Sequence, residues 1–144
     1  MNFYTKGNNA YRKASVTTES QGTLIIMLYD GAIRFLKSAM VQIDKSDLEK
    51  AHGFIVKAKN IVAELMGSLA LERGGKVAHD LYSLYIYMFN RLIDANIQKN
   101  RAYLEDVCKL LEELREGWQV AVKHKRTAPG FNGRRETKPI QIQG

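Results

Sequence analysis

At 144 residues and 16.4 kDa, with 45% hydrophobic and 26% charged residues, the chain is the size of one domain, and its composition excludes wholesale disorder. One cysteine, Cys108, excludes an intramolecular disulfide and a CxxC or Cys-His zinc site. The net charge of +7 is confined to the two ends: residues 1–19 hold three basic and one acidic side chain, residues 123–144 hold six and one, and thirteen of each lie between. A nucleic-acid-binding face gathers Lys and Arg on the domain itself. No nucleic-acid partner is therefore expected, and the basic tail reads as a solvated extension.

Residues 1–19 are read as a mobile N-terminal arm bearing Phe3, Tyr4 and Tyr11. They lack the basic-then-apolar layout of a signal peptide. The longest apolar run, residues 24–29, is far short of the roughly 20 residues a membrane span needs. A cytoplasmic protein without membrane insertion is expected. Both prolines, Pro129 and Pro139, fall in the tail, so nothing before them forbids long helices. Breaker clusters at residues 44–47, 73–75 and 99–100 divide residues 20–125 into four helical segments.

The first segment carries a stripe of Leu24, Leu28, Ala32, Phe35 and Ala39, and beside it Ile26, Tyr29, Ile33, Leu36 and Met40. The second opens on Ser46 with Glu49 three positions later, a capping-box pattern. Its apolar positions, Ala51, Phe54, Ile55, Ala58, Ile61, Val62, Leu65 and Leu69, follow helical spacing. The third has one stripe of Val77, Leu81, Leu84, Met88, Leu92 and Ala95, and another of Tyr82, Tyr85, Ile86, Phe89 and Ile93. The fourth can be capped by Asn100. Its seam runs Leu104, Val107, Leu111, Leu114, Trp118, Ala121, with an outside rich in Glu.

Four helices with short connections predict an all-α, antiparallel up-down four-helix bundle over residues 20–125, with a disordered basic tail over 126–144. Whether the first and third helices lie diagonally or share a groove is left open by the spacing. Glycines 31, 53, 67 and 117 fall inside helices, where each is disfavoured by about 1 kcal/mol against Ala. Close helix packing explains such positions, or a notch for a partner, the latter best placed at Gly31.

Catalytic constellations are thin. A di-iron bundle needs two Glu-x-x-His motifs, and Glu49-Lys50-Ala51-His52 stands alone, its Glu better used at the helix start. His79 and His124 have no carboxylate or thiol at a ligand spacing, and no phosphate loop is present. Arg73 and His79 match a lax pattern of helical-bundle ribonucleases, but Arg73 precedes a Gly-Gly pair. Cys108 reads as a packed small residue. No cofactor, no metal and no enzymatic activity are expected.

The apolar surplus on the first and third segments therefore asks for a partner. An amphipathic helix needs one stripe about 100° wide, and large exposed apolar patches are rare on soluble monomers. Helical spacing gives the groove candidates Ile26, Tyr29, Ile33, Tyr82, Ile86, Phe89 and Ile93, with Tyr11 as an arm residue that competes or clamps. The surplus is absorbed in one of three ways: by the arm, by a second copy in a homodimer, or by an apolar segment of another protein.

Residues 26–36 read Ile-Met-Leu-Tyr-Asp-Gly-Ala-Ile-Arg-Phe-Leu. This run, with Ala10-Tyr11 and Val16-x-Thr18-x-Ser20 before it, resembles the N-terminal signature of the bacterial flagellar export chaperone family (FliS type). Leu81-Tyr82-x-Leu84-Tyr85-x-Tyr87-Met88 with Leu92-x-x-Ala95-Asn96 is similar to its third helix, and Leu110-x-x-x-Leu114-Arg115-x-x-Trp118 to its fourth. The resemblance spans residues 10–122. One departure is Ser20-Gln21-Gly22-Thr23, where the family has Ser-Pro-Glu-Gln. The resemblance implies an antiparallel four-helix bundle that binds the disordered C-terminal region of flagellin, prevents premature polymerisation and delivers the subunit to the flagellar export gate. A homodimer is expected as one state of the chaperone when free of client; the alternatives are a self-associating structural bundle or an RNA-cleaving bundle using Arg73 and His79.

Overall fold

The computed structural model describes the backbone of residues 18–127 and the side chains of residues 21–71 and 74–124. It holds four helices: α1 (Thr18–Asp44), α2 (Leu48–Gly67), α3 (Leu71–Gln98) and α4 (Arg101–Thr127). Connections of two or three residues turn the chain back on itself each time. Helix α1 packs against α2 and α4, and α3 packs against the same two from the other side. Helices α1 and α3 are therefore diagonal, which the spacing alone left open.

Local chemistry explains the turns, with two corrections to the sequence reading. Asp47, not Ser46, caps α2: its Oδ1 accepts from the Lys50 N–H at 3.1 Å. Ser46 sits one place earlier with φ of +62°, a left-handed turn residue whose side chain caps nothing there. The α2–α3 connection is residues 68–70 rather than the Arg-Gly-Gly cluster. Ser68 closes α2, its Oγ donating to the Leu65 carbonyl at 2.7 Å. The glycines instead fall inside α3, where Gly75 (φ +60°, ψ −146°) interrupts the helix after one turn, a conformation only glycine takes freely.

Asn100 works at two helices, as its position predicts. Its N–H donates to the Ala95 carbonyl at 3.0 Å, beyond Lys99 in the left-handed conformation that ends α3. Its side-chain Oδ1 accepts from the Tyr103 N–H at 3.2 Å and so opens α4.

The core runs the length of the bundle. Helix α2 contributes the stripe read from its spacing: Ala51, Ile55, Ala58, Ile61, Val62 and Leu65 are buried. Helix α4 contributes Leu104, Val107, Cys108 and Leu111; at its end Val122 is buried and Ala121 exposed. Helix α1 has neighbours on two sides, so its buried arc is broad: Leu24, Ile25, Leu28, Tyr29, Ala32, Leu36, Ala39 and Met40 all lie inside. Part of the surplus read on α1 is thereby absorbed within the bundle.

Polar contacts tie the faces. Between α1 and α4, the Arg115 guanidinium grips Asp30, and Lys37 pairs with Glu112 at 3.2 Å. Near one end, Arg101 of α4 pairs with Asp44 at 2.9 Å. Between α3 and α4, Arg91 lies 3.9 Å from the Tyr103 ring centre, while Tyr87 donates to Asp106 at 2.7 Å. At the start of α1, a Cβ on Gly22 would come within 2.6 Å of Val122 Cγ2, so α1 and α4 meet there at a distance only glycine permits.

Candidate partner-binding faces

The seven described groove candidates divide into three environments. Tyr29 contributes no outer surface: it is fully buried, its ring edge-on to Tyr85 with centroids 6.4 Å apart and the two hydroxyl oxygens at 2.6 Å. Its position between the α2 and α4 neighbours of α1 turns it to the centre, and a phenol there needs a hydroxyl partner. Tyr85, read as part of the outward stripe of α3, supplies it. Burial pushes both phenols above the ordinary tyrosine range.

Ile26 and Ile33 are half-buried on α1. With Asp30 and Lys37 they form a stripe at steps of four, three and four, and those two charges pair with α4. This stripe therefore borders α4. Ile33 also floors a shallow hollow on α1 with Asp30, Arg34, Lys37, Ser38 and Val41.

Tyr82, Ile86, Phe89 and Ile93 follow the same spacing along α3 and end beside Asn96. Asn96 Nδ2 donates to His52 Nδ1 of α2 at 2.9 Å, and Lys59 of α2 stands 5.5 Å above the Phe89 ring. The α3 stripe therefore borders α2. Ile86 is 38% exposed and the other three are half-buried, Phe89 packing in part against the core, so the α2–α3 groove presents apolar surface at its rim. Val77 and Ile97, at either end of α3, are 51% and 77% exposed; the sequence reading placed Val77 in the core and passed over Ile97.

The candidates thus lie on opposite sides of the bundle and share no single groove, because α1 and α3 are diagonal. Tyr11 falls outside the described residues. So does the Arg73 side chain; the Gly75 break separates its backbone from His79, whose Nδ1 contacts the Gly75 carbonyl at 3.0 Å. His52, the imidazole of the lone Glu-x-x-His, is engaged by Asn96. Among the described residues no cluster of three or more His, Cys, Asp or Glu is placed to hold a metal, and no helix is long and apolar enough to cross a membrane.

The family described as flagellar protein FliS matches residues 4–125. The flagellar secretion chaperone FliS of Bacillus subtilis is 32% identical over 117 residues, covering 81% of this chain and 86% of that protein. The protein of the same name from Campylobacter jejuni is 36% identical over 120 residues (83% and 94%), and that of Salmonella typhimurium 35% identical over 118 (78% and 87%). The family is one of chaperones rather than enzymes. With a four-helix bundle in place and relatives matched over most of their length, the chain belongs to the FliS family of flagellar secretion chaperones.

Proposed function

We propose that the protein is a cytoplasmic export chaperone that holds the disordered C-terminal region of flagellin, keeps subunits from polymerising early and hands them to the flagellar export gate. The observation that carries this reading is the α3 stripe of Tyr82, Ile86, Phe89 and Ile93 beside α2, an apolar strip left half-open by a bundle whose core is already filled. A strip of that spacing suits the apolar face of an amphipathic helix. Flagellin's terminus becomes such a set of helices on assembly, so the groove competes with self-association. Ordering the bound segment costs about 2–5 kcal/mol or more, which a long apolar contact offsets.

The test is titration calorimetry of the full chain with a peptide from flagellin's C-terminal region. One-to-one binding with a negative heat-capacity change is expected. Ile86→Asp with Phe89→Asp should weaken it by at least about tenfold while circular dichroism stays unchanged. No binding by a folded sample overturns the reading. Concentration-dependent sedimentation would then favour a homodimer through the same strip.

A further inference from the structure

The groove between α2 and α3 holds a charge inside its apolar strip. His52 of α2 meets Asn96 of α3 at 2.9 Å, and the Lys59 ammonium of α2 stands 5.5 Å from the Phe89 ring centre. The two contacts are equally spaced on both helices, 52 to 59 and 89 to 96, so the antiparallel pair keeps one register over about two turns. Helical spacing then carries the α2 side of the groove through His52, Val56, Lys59 and Ala63, opposite the Tyr82–Ile93 stripe. Val56, Lys59 and Ala63 are half-buried. Within this lining Lys59 is the only Lys, Arg, Asp or Glu, and its partner Phe89 is the middle of residues 82–96.

Placement sets this lysine apart. Lys37, Lys45, Lys50, Lys57, Lys76 and Lys109 are exposed. Lys99 is half-buried too, but it stands past the end of α3, where its Nζ donates to the Asn96 carbonyl at 2.7 Å. Lys59 instead lies half-buried along the strip itself. A ring face attracts an ammonium and leaves its charge in place. A wholly apolar helix laid over the strip would remove water from that charge, and a buried ammonium without a counter-charge is costly. A carboxylate on the helix at that place lifts the cost and adds attraction where the local dielectric is low. The other escape is for the flexible stem to swing the ammonium out to water, which gives up the contact with Phe89.

We propose that Lys59 selects the occupant of the α2–α3 groove, which is an amphipathic helix with a carboxylate set within its apolar face. The carboxylate meets Lys59 over Phe89. Apolar side chains three or four positions to either side of it cover Ile86 and Ile93. The inference rests on this groove being the client site, and it adds the charge by which the site discriminates among apolar helices.

The probe is a synthetic amphipathic helix of about 18 residues with a single Glu at the centre of its apolar face. Three companions carry Gln, Leu or Lys at that place. Affinity for the full chain is read by fluorescence anisotropy, beside a peptide of flagellin's C-terminal region that reports on the groove itself. The Glu peptide should bind about tenfold or more tighter than the Gln and Leu peptides, with the Lys peptide weakest. In Lys59→Met the advantage of Glu should vanish and the Leu peptide bind best. In Lys59→Glu the Lys peptide should overtake the Glu peptide. Lys109→Met, the same loss of charge on α4, should keep the parent's order. Circular dichroism and thermal melts confirm that each variant is folded. Ile86→Asp with Phe89→Asp should weaken the flagellin and Glu peptides alike. No binding of the flagellin peptide, or binding indifferent to that double variant, overturns the groove reading and this inference with it. Where the flagellin peptide does bind through the groove, three results overturn the role of Lys59 alone: equal affinity for the Glu, Gln and Leu peptides, an order unchanged in Lys59→Met, or no binding of the synthetic series.

Discussion

The hydroxyl oxygens of Tyr29 and Tyr85 meet at 2.6 Å although their helices, α1 and α3, are diagonal and touch nowhere else along the backbone. Two phenols long enough to cross the middle of the bundle join what backbone packing cannot. Removing one hydroxyl strands the other in a dry site. Tyr29→Phe is expected to cost about 1–3 kcal/mol in urea unfolding. Tyr29→Phe with Tyr85→Phe should cost less than the sum of the two single changes, and additivity would show that the hydroxyls do not interact.

The same pair sets an alkaline limit. In the unfolded chain both phenols titrate near the ordinary value of 10.0, while burial holds them protonated to higher pH in the folded state. Above the unfolded value the folded state binds more protons, so the contribution is complete below pH 10.0 and is lost as pH rises past it. Stability measured from about pH 8 to about pH 11 should decline at the alkaline end, and less steeply in the double Phe variant. An unchanged slope would remove the tyrosines from the account.

Asp47 and Ser46 separate the capping residue from its neighbour. Asp47→Ala should destabilise by about 0.5–2 kcal/mol. Ser46→Gly, at a positive φ, should hold or raise the melting temperature, because glycine takes that conformation without a Cβ penalty. A large loss at Ser46 and none at Asp47 would restore the capping box.

Gly53 and Gly117 lie within helices with nothing within 4 Å of a built Cβ. Close packing, one of the two explanations left open by the sequence, does not account for them. Alanine at either position should stabilise by about 0.5–1 kcal/mol in thermal or urea unfolding. Gly22 is the opposite case. Gly22→Ala meets Val122 and should destabilise, and Val122→Ala should recover part of the loss.

Much of the fold was legible because the pattern was redundant. The stripe of α2 repeats at helical spacing over its whole length, and Asn100 is a helix-capping residue at a visible break. The α3 groove stripe was legible for the same reason, since Tyr82, Ile86, Phe89 and Ile93 keep one spacing. Tyr29 was misplaced because spacing gives an angle around a helix but not which angles face neighbours. That depends on α1 having two, a fact of tertiary arrangement. Val77 failed for the mirror reason, lying on the core side by period but at the helix end beyond the Gly75 break. Phe35 of α1 and Phe54 of α2 stack with ring centroids 6.2 Å apart, and no reading of one helix at a time brings them together.

The diagonal placement of α1 and α3 also limits what any single rod can reach. The Ile26–Ile33 stripe and the Tyr82–Ile93 stripe face away from each other across a body about 20–25 Å wide, by helix diameters and spacings. Passing from one to the other over the outside takes on the order of 35 Å of path, or about ten extended residues. A straight helix therefore samples one stripe only. A chain that engages both has to be two segments on a flexible joint, and cutting that joint would leave two weak ligands where there had been one strong one.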